Sequence, residues 1–154
     1  MKVYIGADHR GFELKEGLKT WFTENKIEIK DLGAFKYDPG DDYPVYAEQV
    51  ARHVATDLGR DFNDSRGILI CGSGVGVDIV ANKFKHIRSG LAVNPEQIEK
   101  ARLDDDINVL TIPADYINEQ NAKIIVKLFL ETPFSHEKKK ERRLAEIEKI
   151  ENEQ

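Results

Sequence analysis

The chain has 154 residues, of which 23 are Lys or Arg and 28 are Asp or Glu, so its formal net charge is -5. This length suits one domain with a full core, and the acidic balance argues against nucleic-acid or anionic-membrane partners. A single cysteine excludes an intrachain disulfide, and no apolar run is long enough for a signal peptide or a membrane span. We therefore expect a cytoplasmic protein with no membrane partner.

The first half of the chain alternates short β-branched runs with stretches of helical spacing. Leu14, Leu18 and Trp21 recur at i, i+4 and i+7, which is typical of one face of an amphipathic helix. Pro44 suits the first turn of a later helix, where a missing N–H costs nothing. The predicted elements are a strand at 3–6, the helix around Leu18, a strand at 27–33, a loop at 34–43 and a helix from Pro44 to about Leu58.

The second half continues the alternation, and residues 67–71 form its clearest buried strand. The later elements are a turn at 72–76, a helix at 77–84, a strand at 89–93, a helix at 95–104, a strand at 107–112 and a helix at 118–130. Strands alternating with helices indicate right-handed crossovers and a parallel sheet. The predicted fold is α/β: a doubly wound, Rossmann-like αβα sandwich of three layers, with a five-stranded parallel sheet, over residues 1–134.

The tail, residues 135–154, is mostly Glu, Lys and Arg. Its apolar residues Leu144, Ile147 and Ile150 form only a narrow stripe at intervals of three. A stripe this thin favours a helix that belongs to the same domain and packs on a neighbouring subunit. A solvated helix on its own subunit is the alternative.

Polar or reactive groups follow three of the predicted strands, at the edge where open parallel sheets bind ligands. Asp8 and His9 follow the first strand, Cys71 ends the third and Asn94 follows the fourth. The glycine loop, residues 72–76, lets backbone N–H groups converge before a helix, as in anion sites. Its spacing matches neither the dinucleotide fingerprint nor the nucleotide-phosphate loop, and a purely structural turn is the alternative.

Cys71 lies at the mouth of this loop. A helix N-terminus favours a thiolate, so Cys71 is a candidate base or nucleophile, whereas an inert buried thiol is the alternative. The other histidines, His53, His86 and His136, have no metal-ligand spacing, so we expect no metal.

Several segments together resemble the ribose-5-phosphate isomerase B family, which also includes the galactose-6-phosphate isomerases. They are GADHRGF at 6–12, DYP at 42–44, ICGSGVG at 70–76 and ANK at 81–83, and the similarity runs in order to about residue 150. The resemblance implies aldose–ketose isomerisation of a phosphosugar through a cis-enediolate, without a cofactor. Ribose 5-phosphate and ribulose 5-phosphate are the default pair.

The resemblance also implies residue roles and a homodimer with shared active sites. Cys71 moves a proton between C1 and C2, and Ser73 orients the thiol or a hydroxyl. Val77 stands where another branch of the family has a glutamate, so the chain is similar to the cysteine branch. The implied substrate contacts are the amides of Gly72, Gly74, Val75 and Gly76, the side chains of Asp8, His9 and Tyr43, and Lys139 and Arg143 from the partner subunit.

Acidic residues stand at three positions where the family has other chemistry. Asp104 replaces the histidine that opens the furanose ring, Asp105 replaces a substrate-binding asparagine, and Asp115 replaces a phosphate-binding arginine. Asp104 is a catalytic acid only if burial or neighbouring carboxylates raise its pKa. The alternatives are therefore another sugar phosphate, an open-chain tetrose or a hexose, and a sugar-binding homologue with altered catalysis.

Overall fold

The computed structural model describes residues 1–58 and 64–153. The strands are β1 (Lys2–Ala7), β2 (Ile29–Asp31), β3 (Ser65–Cys71), β4 (Ser89–Leu91) and β5 (Val109–Pro113). The helices are α1 (Phe12–Glu24), α2 (Tyr43–Leu58), α3 (Val75–Ala81), α4 (Pro95–Asp105), α5 (Glu119–Glu131) and α6 (Lys138–Asn152). The strands form one parallel sheet in the order β2-β1-β3-β5-β4. The predicted fold class is confirmed.

The two faces of the sheet bury separate hydrophobic clusters. Helices α1, α4 and α5 cover one face, and α2 and α3 cover the other. Ile68 and Ile70 of β3 point into the first cluster, whereas Leu69 and Cys71 point into the second. This alternation follows from the two-residue period of a strand, and it places the Cys71 side chain on the α2 and α3 side.

Helix α3 begins and ends earlier than the sequence indicates. Gly74 has a φ of 73°, in the left-handed region that favours glycine, so the chain can turn into the helix at Val75. At the other end, the Asn82 amide donates to the carbonyls of Asp78 and Ser89, and its Oδ1 accepts from the Ser89 amide. These bonds tie the end of α3 to the first residue of β4, so the helix stops at Ala81 and does not continue to Phe84.

Helix α6 lies along the edge of the sheet where the strands begin. Lys140 Nζ is 2.7 Å from Asp104 Oδ1 at the end of α4, and the His86 amide donates to Glu151 Oε1 at 2.8 Å. None of the described residues of α6 is buried, and Ile147 and Ile150 are about half exposed. The apolar stripe therefore has little cover within the chain.

Over residues 1–58 and 64–153, no helix combines the length and the apolar composition that crossing a bilayer requires.

Candidate active site

The candidate site lies between the carboxyl ends of β1 and β3, where the chain connections diverge. Ligands of open α/β sheets bind at such a switch point. The turn after β1 sits directly on β3, because the Asp8 amide donates to the Ile70 carbonyl at 3.3 Å and a Cβ on Gly11 would collide with that carbonyl. This close approach places the Asp8 side chain beside Cys71.

Cys71 and Asp8 form a buried thiol–carboxylate pair. The Cys71 Sγ donates to Asp8 Oδ2 at 3.1 Å, and the two residues are 8% and 3% exposed. The other oxygen, Oδ1, accepts from the backbone amides of Arg10 at 3.0 Å and Gly11 at 3.1 Å. The carboxylate is therefore held in place by backbone donors and aimed at the thiol.

The environment of Cys71 favours the neutral thiol. Burial, followed by the hydrogen bond and negative charge of Asp8, raises the pKa of Cys71 to about 11. The backbone amides of Gly72 and Gly74 act in the opposite direction, so they do face the sulfur as the glycine loop predicts. The prediction that the thiolate is favoured is nevertheless wrong for the ligand-free protein, because burial and Asp8 outweigh the amides.

His9 is held by Asp41, a residue that no sequence pattern marks as part of the site. His9 Nδ1 lies 2.6 Å from Asp41 Oδ1, which also accepts from the His9 amide at 3.1 Å. The Asp41 side chain is 6% exposed, and its Oδ2 has no hydrogen-bond partner among the described residues. Residues 38–42 are visibly rich in aspartate, but only the path of the loop shows which carboxylate faces His9.

Asp8, His9 and Asp41 could also be ligands of a cation. Their donor atoms lie within 4.8 Å of one another, and they are the one such group in the described part of the chain. These donor atoms already take part in hydrogen bonds. The Asp8 carboxylate accepts from the Cys71 thiol and from two backbone amides, and His9 bonds to Asp41. A cation would have to displace these hydrogen bonds.

The glycine loop closes the site on the other side. A Cβ on Gly76 would collide with the Tyr43 ring, so the first residue of α2 packs directly on the loop. The Asp115 amide donates to the Gly72 carbonyl at 3.1 Å and ties the loop to the segment after β5. Ser73 and Val75 are exposed at its surface. The structure therefore groups Tyr43 and the loop with Asp8, His9 and Cys71, as the sequence predicts.

Arg10 and Asp115 form an ion pair at the rim of this site. Arg10 Nη2 donates to Asp115 Oδ2, and the guanidinium lies so close to Gly72 that a Cβ there would collide with it. Arg10 lies within the GADHRGF segment at 6–12, but no pattern in the sequence indicates a role for it. The negative charge of Asp115 is thus compensated by the guanidinium of Arg10, which comes from a different loop.

The remaining predicted site residues lie at the opposite edge of the sheet. Asp104 and Asp105 end α4 just before β5 begins, and Lys139 and Arg143 lie in the adjoining helix α6. The five residues of β5 separate the two edges by roughly 16 Å. A single chain therefore does not bring these four residues to Cys71.

Asp104 does not have the environment of a general acid. Its carboxylate pairs with Lys140, and the hydrogen bond from Lys140 lowers the pKa of Asp104. Neither burial nor the neighbouring carboxylates raise this pKa, because the hydrogen bond and charge of Lys140 outweigh them. Asp104 is therefore ionised at neutral pH in the isolated chain.

The fold and the site define an α/β protein that presents a thiol, a carboxylate, an imidazole and an amide-rich loop to a small ligand at its switch point. The family model for Ribose/Galactose Isomerase matches residues 3–147. The chain belongs to this family, and the resemblance drawn from its motifs is confirmed.

Individual relatives agree with this assignment. The probable ribose-5-phosphate isomerase B of Mycoplasma pneumoniae is 40% identical over 133 residues, which cover 86% of this chain and 84% of the relative. The crystal structure of ribose-5-phosphate isomerase B from Mycoplasma genitalium with bound ribulose-5-phosphate superposes with a TM-score of 0.92 at 33% identity, covering 99% of this chain and 97% of that one. A Thermotoga maritima ribose 5-phosphate isomerase gives 0.86 at 36% identity, covering 96% and 97%.

Proposed function

We propose that this protein interconverts an aldose phosphate and a ketose phosphate, with ribose 5-phosphate and ribulose 5-phosphate as the default pair. The observation that carries the proposal is the Cys71–Asp8 pair, buried at the switch point beside the amides of Gly72 and Gly74. The names of the relatives support the substrate class, as does the ribulose-5-phosphate bound to the Mycoplasma genitalium enzyme. No cofactor is needed, because the reaction only moves protons.

In the proposed mechanism the Cys71 thiolate is the base. It removes the proton from C2 of the open-chain aldose, and the electron pair moves through C1 to give an enediolate. The amides of the glycine loop donate to the enediolate oxygens, which stabilises the developing charge. The proton on O2 moves to O1, with Ser73 orienting the hydroxyl, and Cys71 returns its proton to C1. The product is the ketose, and the enzyme is regenerated.

Asp8 and the raised pKa serve this role in two ways. A thiol with a pKa of about 11 is a stronger base once ionised, which suits abstraction of a weakly acidic C–H proton. The fixed carboxylate also holds the sulfur in one orientation before substrate binds. The expected cost is that only a small fraction of the protein carries the thiolate at neutral pH.

The test of this function is exchange of the substrate's C1 and C2 hydrogens with solvent deuterium, followed by NMR. Tetrose 4-phosphates, pentose 5-phosphates and hexose 6-phosphates are compared at equal concentration. Exchange at C1 and C2 with formation of the ketose supports an isomerase. Absence of exchange with every phosphosugar would leave only a sugar-binding homologue.

A second candidate substrate is a tetrose 4-phosphate, and the ion pair of Asp104 favours it. A carboxylate with a lowered pKa has no proton to donate for opening a furanose ring. A tetrose phosphorylated at O4 cannot form that ring and needs no such acid. We therefore expect the protein either to isomerise open-chain sugar phosphates well or to isomerise cyclic ones slowly.

Substitutions at Asp104 separate these two candidates. Asp104→Asn should change the rate on ribose 5-phosphate by less than about threefold, whereas loss of a true general acid would cost about 10²-fold or more. In a dimer that brings Asp104 to the partner's site, Asp104→His should raise the rate on ribose 5-phosphate and leave that on a tetrose 4-phosphate unchanged. Steady-state rates on both sugars measure these effects, and a large drop on both with Asp104→Asn would show that the carboxylate has a role of its own.

We further propose a homodimer in which Lys139 and Arg143 complete the partner's site. Within one chain these residues lie at the far edge of the sheet, and an open cleft of about 580 Å³ runs beside Leu144 and Ile147. A second copy packed along α6 would cover the exposed apolar stripe. It would also bring cations to the edge that holds Cys71.

Mixed dimers test this arrangement. Cys71→Ala and the double variant Lys139→Ala/Arg143→Ala should each be nearly inactive alone at low substrate concentration. Coexpressed, they should recover about a quarter of wild-type activity, because half of randomly mixed symmetric dimers are mixed and each of these has one intact site. No recovery, or a monomer at micromolar concentration in sedimentation, would contradict a shared site.

A further inference from the structure

Arg10 lies beside the site and, within the part of the chain that the structure describes, has free hydrogen-bond donors, but it takes no part in the proposed proton transfer. Its backbone amide is anchored by Asp8, and its guanidinium packs against Gly72, the residue that follows Cys71. The side chain is 55% exposed, so it faces the open mouth of the site. A half-exposed cation that packs on the residue after the reactive thiol is accessible to a ligand.

Most donors of this guanidinium are unused. Arg10 Nη2 bonds to Asp115, and in the described part of the chain neither Nε nor Nη1 has an acceptor. A guanidinium carries five N–H donors in a planar fork, which matches the oxygens of a phosphate group. Asp115, anchored by its amide to the Gly72 carbonyl, holds the fork over the site but leaves donors for a second anion.

The charge balance of the site favours a cation from the same chain. The carboxylates of Asp8, Asp41 and Asp115 surround the mouth, and a phosphate monoester brings up to two further negative charges. The amides of the glycine loop are already assigned to the sugar oxygens at C1 and C2. The phosphate at the other end of the substrate therefore needs positive partners. Lys139 and Arg143 lie at the far edge of their own chain and reach the site only from a partner subunit, whereas Arg10 belongs to the chain that carries Cys71.

We propose that Arg10 binds the phosphate group of the sugar phosphate, with Asp115 as the residue that positions its guanidinium. The inference rests on the proposed function for the identity of the anion. Arg10 would then be a specificity-determining residue on the same chain as Cys71. Asp115 would hold the Arg10 guanidinium in place. Arg10 acts on binding rather than on proton transfer.

The test compares Arg10→Ala and Arg10→Lys with the wild type, and Arg52→Ala serves as the control. Arg52 is an exposed arginine of α2 that pairs with Glu48. Steady-state kinetics with ribose 5-phosphate give KM and kcat, and competition by inorganic phosphate gives an inhibition constant. Arg10→Ala should raise both KM and the inhibition constant by about tenfold, as expected for losing one partly exposed charge-assisted contact, with kcat within about threefold. Arg10→Lys should lie between the two, and Arg52→Ala should match the wild type.

Two results would overturn the inference. One is an unchanged KM and phosphate inhibition in Arg10→Ala. The other is a fall in kcat alone, which would assign Arg10 to the enediolate instead. If the wild type turns over no phosphosugar, the proposed function fails. The role of Arg10 can then still be tested by thermal shift: inorganic phosphate should raise the Tm of the wild type but not that of Arg10→Ala. Equal Tm values of the variants without phosphate establish that they are folded.

Discussion

Replacement of Cys71 by alanine should lower kcat for isomerisation by about 10²–10⁴-fold, the usual contribution of a general base. The reason is that Asp8 is the one side chain in the described part of the chain with a hydrogen bond to the thiol, and its carboxylate is itself held by two backbone amides. The deuterium-exchange assay measures the loss directly, since both exchange and net turnover depend on the same proton abstraction.

The variant should keep its fold and its affinity for phosphosugars. Cys71 is small, and its pKa shows that it is neutral in the resting protein, so alanine removes one weak hydrogen bond and little volume. The rise in Tm with ribulose 5-phosphate should therefore match that of the wild type. Cys71→Ser is the control that keeps a donor to Asp8 without a practicable base. A Cys71→Ala protein that retains more than about a tenth of the wild-type rate would contradict the role assigned to the thiol.

The sequence was sufficient to place the centre of this site. Parallel strands end at a common edge, so identifying β1 and β3 already brings Asp8, His9 and Cys71 together. The glycine loop could be identified because its residue types have a specific conformational use, as Gly74 shows with its positive φ. These features depend on local patterns and on a simple topological rule.

The partners of these residues could not be predicted in the same way. Which aspartate holds His9 depends on the path of the loop before α2, and the pairing of Arg10 with Asp115 joins residues 105 positions apart. The pKa shifts of Cys71 and Asp104 could not be predicted from the sequence either. The pKa of Cys71 reflects burial and a carboxylate acting against backbone amides, and that of Asp104 reflects a lysine on another helix. Each outcome depends on distances that no spacing in the sequence reveals.

The titration of Cys71 should change sharply when the charge of Asp8 is removed. Because Cys71 is the chain's one cysteine, the rate of alkylation by iodoacetamide reports its thiolate alone. In the ligand-free wild type this rate should rise about tenfold for each pH unit above neutral, since the thiol pKa is about 11 and the thiolate is the reacting form. The rate constant kcat/KM should rise over the same range, because it reports ionisations of the free enzyme.

Asp8→Asn should move both curves to lower pH. The carboxylate raises the pKa of Cys71 through its hydrogen bond and its charge, so an amide of the same shape removes both effects. Asparagine can keep the oxygen that accepts from the amides of Arg10 and Gly11, and its NH₂ group can donate to the thiolate. Alkylation at pH 8 should therefore be at least about tenfold faster than in the wild type, which corresponds to a pKa lower by one unit or more.

Activity and reactivity should then separate in this variant. More thiolate is present at neutral pH, but it is a weaker base and has lost the fixed partner that orients the sulfur, so kcat should fall even as alkylation accelerates. Asp41→Asn is the matched control, because it removes a carboxylate from the same site without touching the thiol and should leave the alkylation profile near that of the wild type. An unchanged or slower alkylation rate in Asp8→Asn would mean that burial alone sets the pKa of Cys71, and the thiol–carboxylate pair would then have only a structural role.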